Sequence, residues 1–400
     1  MVYTPQTWTN GAGGGTPLSA ARLGVIEAGI AAAGTPPVVN VKDHGVTGDG
    51  STDDTTALNA CIAAAATGST IFFPPGTYVI SAPIVMKDGC RYLGAGRSTS
   101  AASRILQKNS ANITGPNGRT GLFVSAAFAN DAATCSQPVQ IEGLAFDGNK
   151  DNNGSSNASG VLLNGYWSKI TDCYFVNHRY AGVLLTDYTN DGTYVSNSCS
   201  ENRLTDLKIV GCLSSGIEQE SGNGNSNLDG FITDCYITEV GDGIYMSKAA
   251  GWSIRRNHIY GVQFSGIHLG KCYATSVTES YIEDFGSENT ANGYYKGIDL
   301  EILAGWPSFI TNNFVCNQVT TGTAHFRNFQ IVAAYDAQAR AVISGNIAVC
   351  NSSGIDTKAF YLDRSGAGVL TAQVGGNMGF GAATEWYVDG SCVTSWDGAA

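Results

Sequence analysis

From about residue 160 onward, a short strand pattern returns again and again along the chain, a small residue followed by alternating apolar and other residues. It reads GVLL at 160–163 and 182–185, GIEQ at 216–219, GIYM at 243–246, GIHL at 266–269, GIDL at 297–300, NFQI at 328–331 and AFYL at 359–362. Between these copies lies a second marker, an apolar residue followed three positions later by Asn, Cys or another small residue: ITDC at 170–173, LTDL at 204–207, ITDC at 232–235, IRRN at 254–257, VTES at 277–280, ITNN at 310–313 and VGGN at 374–377. Successive first markers stand 22, 34, 27, 23, 31, 31 and 31 residues apart. A core of constant length plus variable insertions is the signature of a solenoid. One coil cannot bury its own inward residues. Coils stacked at about 4.8 Å place Val183, Ile217, Ile244, Ile267, Ile298 and Phe329 in one internal column. Asn257, Asn313, Asn346 and Asn377 then predict a turn ladder with amides bonded along the axis, Cys173 and Cys235 filling equivalent steps. An α/β barrel would need eight amphipathic helices, and no helical period appears beyond residue 66. The 51 glycines in 400 residues are nearly twice the usual share of about 7% and suit many turns.

The charge pattern narrows the partners. With 22 basic and 33 acidic residues the net charge is -11, and no Lys/Arg block interrupts it, which argues against nucleic acid as a partner. No run of 18 apolar residues suggests a membrane span, and the start MVYTPQTWTN lacks the basic and apolar regions of a classical secretory signal. Eleven cysteines stand singly with no CxxC, so buried free thiols are expected rather than a zinc site or a paired framework.

Three zones precede the end of the chain: residues 1–37 as an attachment or capping segment, 38–89 as an opening motif with a helix, and 90–381 as the repeat, followed by a tail at 382–400. The first zone holds a helical pattern from Ser19 to Ala33, stopped by Gly34 and Pro36. In the second, a strand VVNVKD leads through a GDG turn to a helix from about Asp53 or Asp54 to Ala66, and then to a buried strand TIFFP. The stretch from Val41 to Ser81, with HGVTGDGSTDDTTAL and PPGTY, resembles the opening of the pectin lyase-like superfamily, found in polysaccharide-degrading enzymes and phage tailspikes. The resemblance implies an all-β, right-handed parallel β-helix with a short N-terminal helical cap, in which Asp53 and Asp54 are structural. Residues Tyr3 to Ile30 look like the start of tail proteins from phages and prophages of actinobacteria. That likeness implies a homotrimer, built into a virion tail or phage-like particle through residues 1–37 after synthesis in a bacterial cytoplasm.

If the second and fourth residues of each first marker point inward, the third and fifth face out. The third positions are Leu184, Glu218, Tyr245, His268, Asp299, Gln330 and Tyr361, and the fifth are Thr186, Glu220, Ser247, Gly270, Glu301 and Val332. Four carboxylates, a tyrosine and a histidine thus gather on one face of a charge-poor chain. Glycoside hydrolysis needs two carboxyl groups, about 5–5.5 Å apart in retaining and about 6.5–9.5 Å apart in inverting enzymes. Neighbours i and i+2 on a strand lie about 6.5–7 Å apart, so Glu218 with Glu220 and Asp299 with Glu301 are candidate pairs, and Asp242, just before GIYM, offers a third partner. His268 beside Asp299 would tune a carboxylate or bind a sugar hydroxyl. Tyr245, Trp252, Tyr294, Tyr295 and Trp306 are candidate stacking surfaces for sugar rings, and Lys271 a further polar contact. No metal or cofactor is required for this chemistry. A lyase would instead use Ca²⁺ on several carboxylates with Lys248, Lys271, Arg255 or Arg256 as base. GIHLGK at 266–271 is not the GHG of polygalacturonases, and their paired DD and RIK motifs are missing. The expectation is a tailspike-like protein that binds polysaccharide and cuts it as a glycoside hydrolase. The alternatives are a non-catalytic glycan-binding adhesin or tail fibre, a lyase, and a fructan- or glucan-active transferase.

Overall fold

The computed structural model describes residues 20–32, 37–98, 102–222, 228–288, 293–303, 305–318, 323–334, 337–351, 356–390 and 392–397. Of the attachment or capping segment expected at 1–37, residues 1–19 and 33–36 fall outside them. Strands of successive coils pair in parallel into three long sheets, with 13, 12 and 11 strands among the described residues. The chain visits the first, second and third sheet in turn and then climbs one rung, as a parallel β-helix does.

The two markers explain this winding. The inward column of the third sheet runs Val161, Val183, Ile217, Ile244, Ile267, Ile298, Phe329 and Phe360, each in register with the next. All of these side chains have zero exposure. Each contributes on the order of 1.5–3 kcal/mol by leaving water. The small residue ahead of them is needed at the corner where the second sheet turns into the third. A Cβ on Gly266 would lie 2.6 Å from both the Gly297 carbonyl oxygen and Ile282 Cγ2. The second marker forms the corner between the first and second sheets. Its third residue is left-handed in coil after coil: Asp172, Asp206, Asp234, Arg256, Glu279 and Asn312, then Gly345 and Gly376. Short polar residues and glycine tolerate that conformation best.

Directly after this corner stands the predicted ladder. Asn313 donates its backbone N–H and its Nδ2 to Asn346 Oδ1, both at 3.0 Å, and Asn346 repeats the pattern onto Asn377 Oδ1 at 3.0 and 2.9 Å. Asn257 accepts from the Cys235 N–H at 3.0 Å, so cysteine does fill an equivalent step. The cysteines are free thiols, buried except for the half-buried Cys392.

At the opening end, helix α1 spans Ala20–Ala32 and helix α2 spans Thr55–Ala64. Leu58, Cys61 and Ile62 of α2 join the core. The two aspartates divide their work. Asp54 holds the N-cap position, but its carboxylate reaches back to the Thr47 and Gly48 N–H groups at 2.8 and 3.0 Å, while Asp53 accepts from the Thr55 N–H at 3.2 Å. Beyond residue 381, where a tail was expected, Thr384–Val388 and Val393–Asp397 add one more strand to the third and first sheets. They extend the winding because Trp386 stacks on Phe360, with ring centroids 4.2 Å apart.

The ladder should be measurable. Replacing Asn346 by Ala takes the acceptor from the buried Asn313 backbone N–H and a donor from the Ile310 carbonyl, and we expect a loss of about 1–3 kcal/mol. Urea denaturation followed by far-UV circular dichroism checks it. An unchanged midpoint would remove the ladder from the account of stability.

Candidate functional site

Alternation in the third sheet carries an outward row just as regular as the inward one: Val124, Leu162, Leu184, Glu218, Tyr245, His268, Asp299, Gln330, Tyr361 and Tyr387, in register throughout. The row changes character midway. Its first members do not meet solvent as expected: Val124, Leu162 and Leu184 are buried under Phe128 of the one-turn helix α3 (Ala126–Ala129) and against Tyr180. An insertion has covered this part of the wall. Thr186, on the adjoining row, is buried as well. From Glu218 onward the row opens into a polar strip.

Glu218 begins that strip and is held from two sides, by the Tyr180 hydroxyl at 2.5 Å and the Ser214 hydroxyl at 2.9 Å. On the next rung Tyr245 lies flat against His268, with ring centroids 5.0 Å apart and planes 12° from parallel. Burial and the neighbouring Glu218 push the Tyr245 hydroxyl up, so it stays protonated at neutral pH. His268 Nδ1 is 2.8 Å from Asp299 Oδ2 on the following rung. Asp299 is 4% exposed and fully engaged, with Lys296 Nζ 3.2 Å from the same oxygen and Gln330 Nε2 2.9 Å from the other. Burial alone would raise its pKa; the His268 bond and the Lys296 charge overcome that and hold it below the usual carboxylate range.

Asp242 flanks this line. It sits just before the corner glycine, in register with Ser215, and its Oδ1 leans up one rung to accept the Ser265 N–H at 2.8 Å. Asp299 leans down one rung to His268. The two carboxyl groups therefore converge on the rung of His268 from opposite sides of the stack. Their environments drive them apart: burial raises the pKa of Asp242, only partly offset by the Ser265 N–H. Carboxyl groups shifted in opposite directions on the rungs either side of His268 are candidates for an acid and a base.

Of the i and i+2 pairs expected from the sequence, Glu218 with Glu220 is broken up by an arginine. Both oxygens of Glu220 are taken by Arg119, at 2.6 and 2.8 Å, and the Arg119 guanidinium lies over the Tyr188 ring. Glu301 is half-buried, two residues after Asp299 on the same strand and in register with Val332. Glu218 and Asp299 share one wall but stand three rungs apart. Trp252 cannot stack on a sugar from solvent: its ring is buried at 1% exposure in the space left by Gly230, whose Cβ would lie 2.5 Å from it. Tyr295 is buried too. Tyr294 and Trp306 are exposed, at the two ends of the coil that carries Asp299. Lys271 is exposed at a register shift in the strand Ile267–Cys272. Arg255 and Arg256 belong to the first sheet and its corner, paired with Glu279 and Asp234, on a different wall from the candidate site. Tyr180, Lys296 and Ser265 were not foreseen, since none falls on the outward alternation of a marker. Among the described residues no cluster of three His, Cys, Asp or Glu is placed to hold a metal ion. A cavity of about 610 Å³ lined by Thr70, Arg91 and Gln140 lies against the first sheet instead.

Residues 38–268 match the family model described as rhamnogalacturonase A/epimerase, pectate lyase-like. The match ends one rung before Asp299. Among curated relatives, mannuronan C5-epimerase AlgE4 of Azotobacter vinelandii is 32% identical over 136 residues, 32% of this chain and 22% of the relative. The chain therefore spans less than a quarter of that relative's length. Similar solved folds are the Streptococcus pneumoniae surface protein and adhesin PfbA (TM-score 0.60, 14% identity, covering 90% of this chain and 100% of that one) and DFA-IIIase of Arthrobacter chlorophenolicus with DFA-III (0.58, 15%, 86% and 85%). A third is the phiAB6 tailspike in complex with oligosaccharides of Acinetobacter baumannii surface polysaccharide (0.50, 15%, 70% and 47%). At these identities the shared property is the fold.

The raised pKa of Asp242 carries a sign. A folded-state carboxyl that binds its proton more tightly than the unfolded one loses stability as pH rises from the unfolded pKa through the folded one. Asp242→Asn keeps an acceptor for the Ser265 N–H and removes the buried charge, so its melting temperature at pH 7 should exceed that of the wild type, the gain vanishing near pH 3. Thermal melts across that range decide it; an equal loss at both pH values contradicts the assignment.

Proposed function

Because this chain belongs to the rhamnogalacturonase A/epimerase, pectate lyase-like family, we propose that it is a carbohydrate-active enzyme that cleaves a polysaccharide by hydrolysis on the outer wall of its third sheet. The observation that carries the reading is that Asp242 and Asp299 both reach the rung of His268, one by the Ser265 N–H and the other by His268 Nδ1, with their acidities shifted in opposite directions. Asp299, an ionised and buried carboxylate, accepts from His268 Nδ1 and so fixes the tautomer in which Nε2 carries the lone pair. His268 then takes a proton from water as the water attacks the sugar. Asp242 gives its proton to the leaving glycosidic oxygen. Tyr245 holds the imidazole plane by stacking, and Glu218, kept in place by Tyr180 and Ser214, supplies negative charge beside a developing oxocarbenium ion.

The test is the release of reducing ends from a panel of acidic and neutral bacterial polysaccharides. His268→Ala and Asp242→Asn should each lower kcat by about 10²–10⁴-fold, the usual worth of a general acid or base, and Asp299→Asn should also shift the pH profile. Wild-type turnover by His268→Ala would refute the reading, and a wild-type chain that binds glycan without turning it over would favour the adhesin. Homotrimeric assembly and attachment through residues 1–37 belong to the same proposal on the strength of the N-terminal sequence. A light-scattering mass of one chain removes them.

One observation favours a second reaction on the same residues. Tyr245 is a protonated phenol face to face with an oriented histidine, a donor and an acceptor suited to moving the proton beside a uronate carboxylate. This suits the epimerase named among the relatives, or a lyase. Tyr245→Phe separates the two: hydrolysis should survive it largely intact, whereas epimerised or unsaturated uronate products should disappear.

A further inference from the structure

The stack of tyrosine, histidine and aspartate occurs a second time. Tyr294, His325 and Asp356 lie in register on three successive rungs of the third sheet, five residues before the row of Asp299. Tyr294 stacks on His325 with centroids 4.4 Å apart and planes 12° from parallel, and His325 Nδ1 is 2.8 Å from Asp356 Oδ2. These values nearly repeat the 5.0 Å, 12° and 2.8 Å of Tyr245, His268 and Asp299. The second unit starts on the rung where the first one ends.

What surrounds the two units differs. The column that supplies Asp242 to the first continues as Ser265 and then as Lys296, Arg327 and Lys358, the last three in register. Beside the second unit the same column therefore carries cations instead of an acid. Lys358 Nζ is 2.7 Å and Arg327 Nη2 3.4 Å from Asp356, and the Arg327 guanidinium sits over the Tyr361 ring. Two permanent cations face one carboxylate, a local positive surplus in a chain of net charge -11. Tyr294 is 59% exposed as a residue, whereas the first unit's Tyr245 is only partly so.

We propose that Tyr294, His325 and Lys358 form a binding subsite for an acidic sugar residue, on the rungs beyond the His268 centre. The exposed Tyr294 ring offers an apolar platform to a pyranose face. His325, oriented by Asp356, presents Nε2 to a sugar hydroxyl, and the surplus charge of Lys358 and Arg327 attracts a carboxylate or sulfate substituent. With no acid in the flanking column, the second unit grips the polymer and leaves proton transfer to the first. The inference rests on the polysaccharide reading of this wall and assigns the substrate an acidic class.

Calorimetric titration of the full chain with oligomers of polymannuronate and polygalacturonate, against neutral β-glucan oligomers, tests it at low and high salt. We expect at least one acidic oligomer to bind more tightly than the neutral ones, weakening with salt. Tyr294→Ala and Lys358→Met should each raise Kd by about tenfold, equivalent to about 1.4 kcal/mol, with Lys358→Arg restoring part of it and melting temperatures reporting the fold. His268→Ala should bind as the wild type does while losing turnover. Neutral oligomers binding as well as acidic ones, no binding of either acidic oligomer, or a folded Tyr294→Ala with wild-type Kd would each overturn the subsite. Should His268→Ala keep its turnover while Tyr294→Ala loses affinity, hydrolysis at His268 fails and the subsite stands.

Discussion

Everything in this molecule depends on the parallel hydrogen-bonded register between one coil and the next. Each strand finds its backbone partners on the rungs above and below, so a side chain placed at a given position in one coil is stacked at about 4.8 Å on its counterpart in the next. Identity of register turns a one-dimensional repeat into columns: aliphatic inside, left-handed aspartates at one corner, glycines at another, amides along the ladder of Asn313, Asn346 and Asn377. A single slipped residue would send the inward isoleucines to water.

The same spacing governs the chemistry. Side chains on adjacent rungs are forced into contact, so rings stack face to face and a charge must be answered by its neighbours. Asp299 survives at 4% exposure only because His268, Lys296 and Gln330 come to it from the rungs on either side and from its own strand. For Asp242 burial outweighs the help of Ser265 and His268, and it is left holding its proton more tightly. Two carboxyl groups of similar intrinsic acidity thus acquire opposite shifts from their surroundings. Tyr245 and Tyr294, each laid on a histidine one rung up, show the solenoid making the same polar unit twice at two lateral positions.

Much of the fold was legible because its signals are local and recurrent. The inward column and the asparagine ladder followed from spacing, and the outward row from Glu218 to Tyr361 was read in its right register. The site was legible as a wall, while the Glu218–Glu220 pair was not what it looked. Neighbours on one strand, Glu218 with Glu220 and Asp299 with Glu301, drew attention because they are near in sequence, yet Glu220 is spent on Arg119, a residue 101 positions away. Trp252 read as a surface ring and is core, since only the fold reveals the vacancy at Gly230. Leu184 read as outward and is outward, but lies under Phe128.

By itself, then, the sequence determined the winding, the parity of the third-sheet strands from about residue 160 onward and the wall on which the polar residues gather, because periodicity and alternation are properties of the chain read in order. Which carboxyl group is made less acidic, which is held by cations and which part of the wall stays open were decided only by the tertiary structure. Burial, the lean of Asp242 toward Ser265 and of Asp299 toward His268, and the cover laid down by α3 all arise between residues far apart along the chain, where local pattern carries no information.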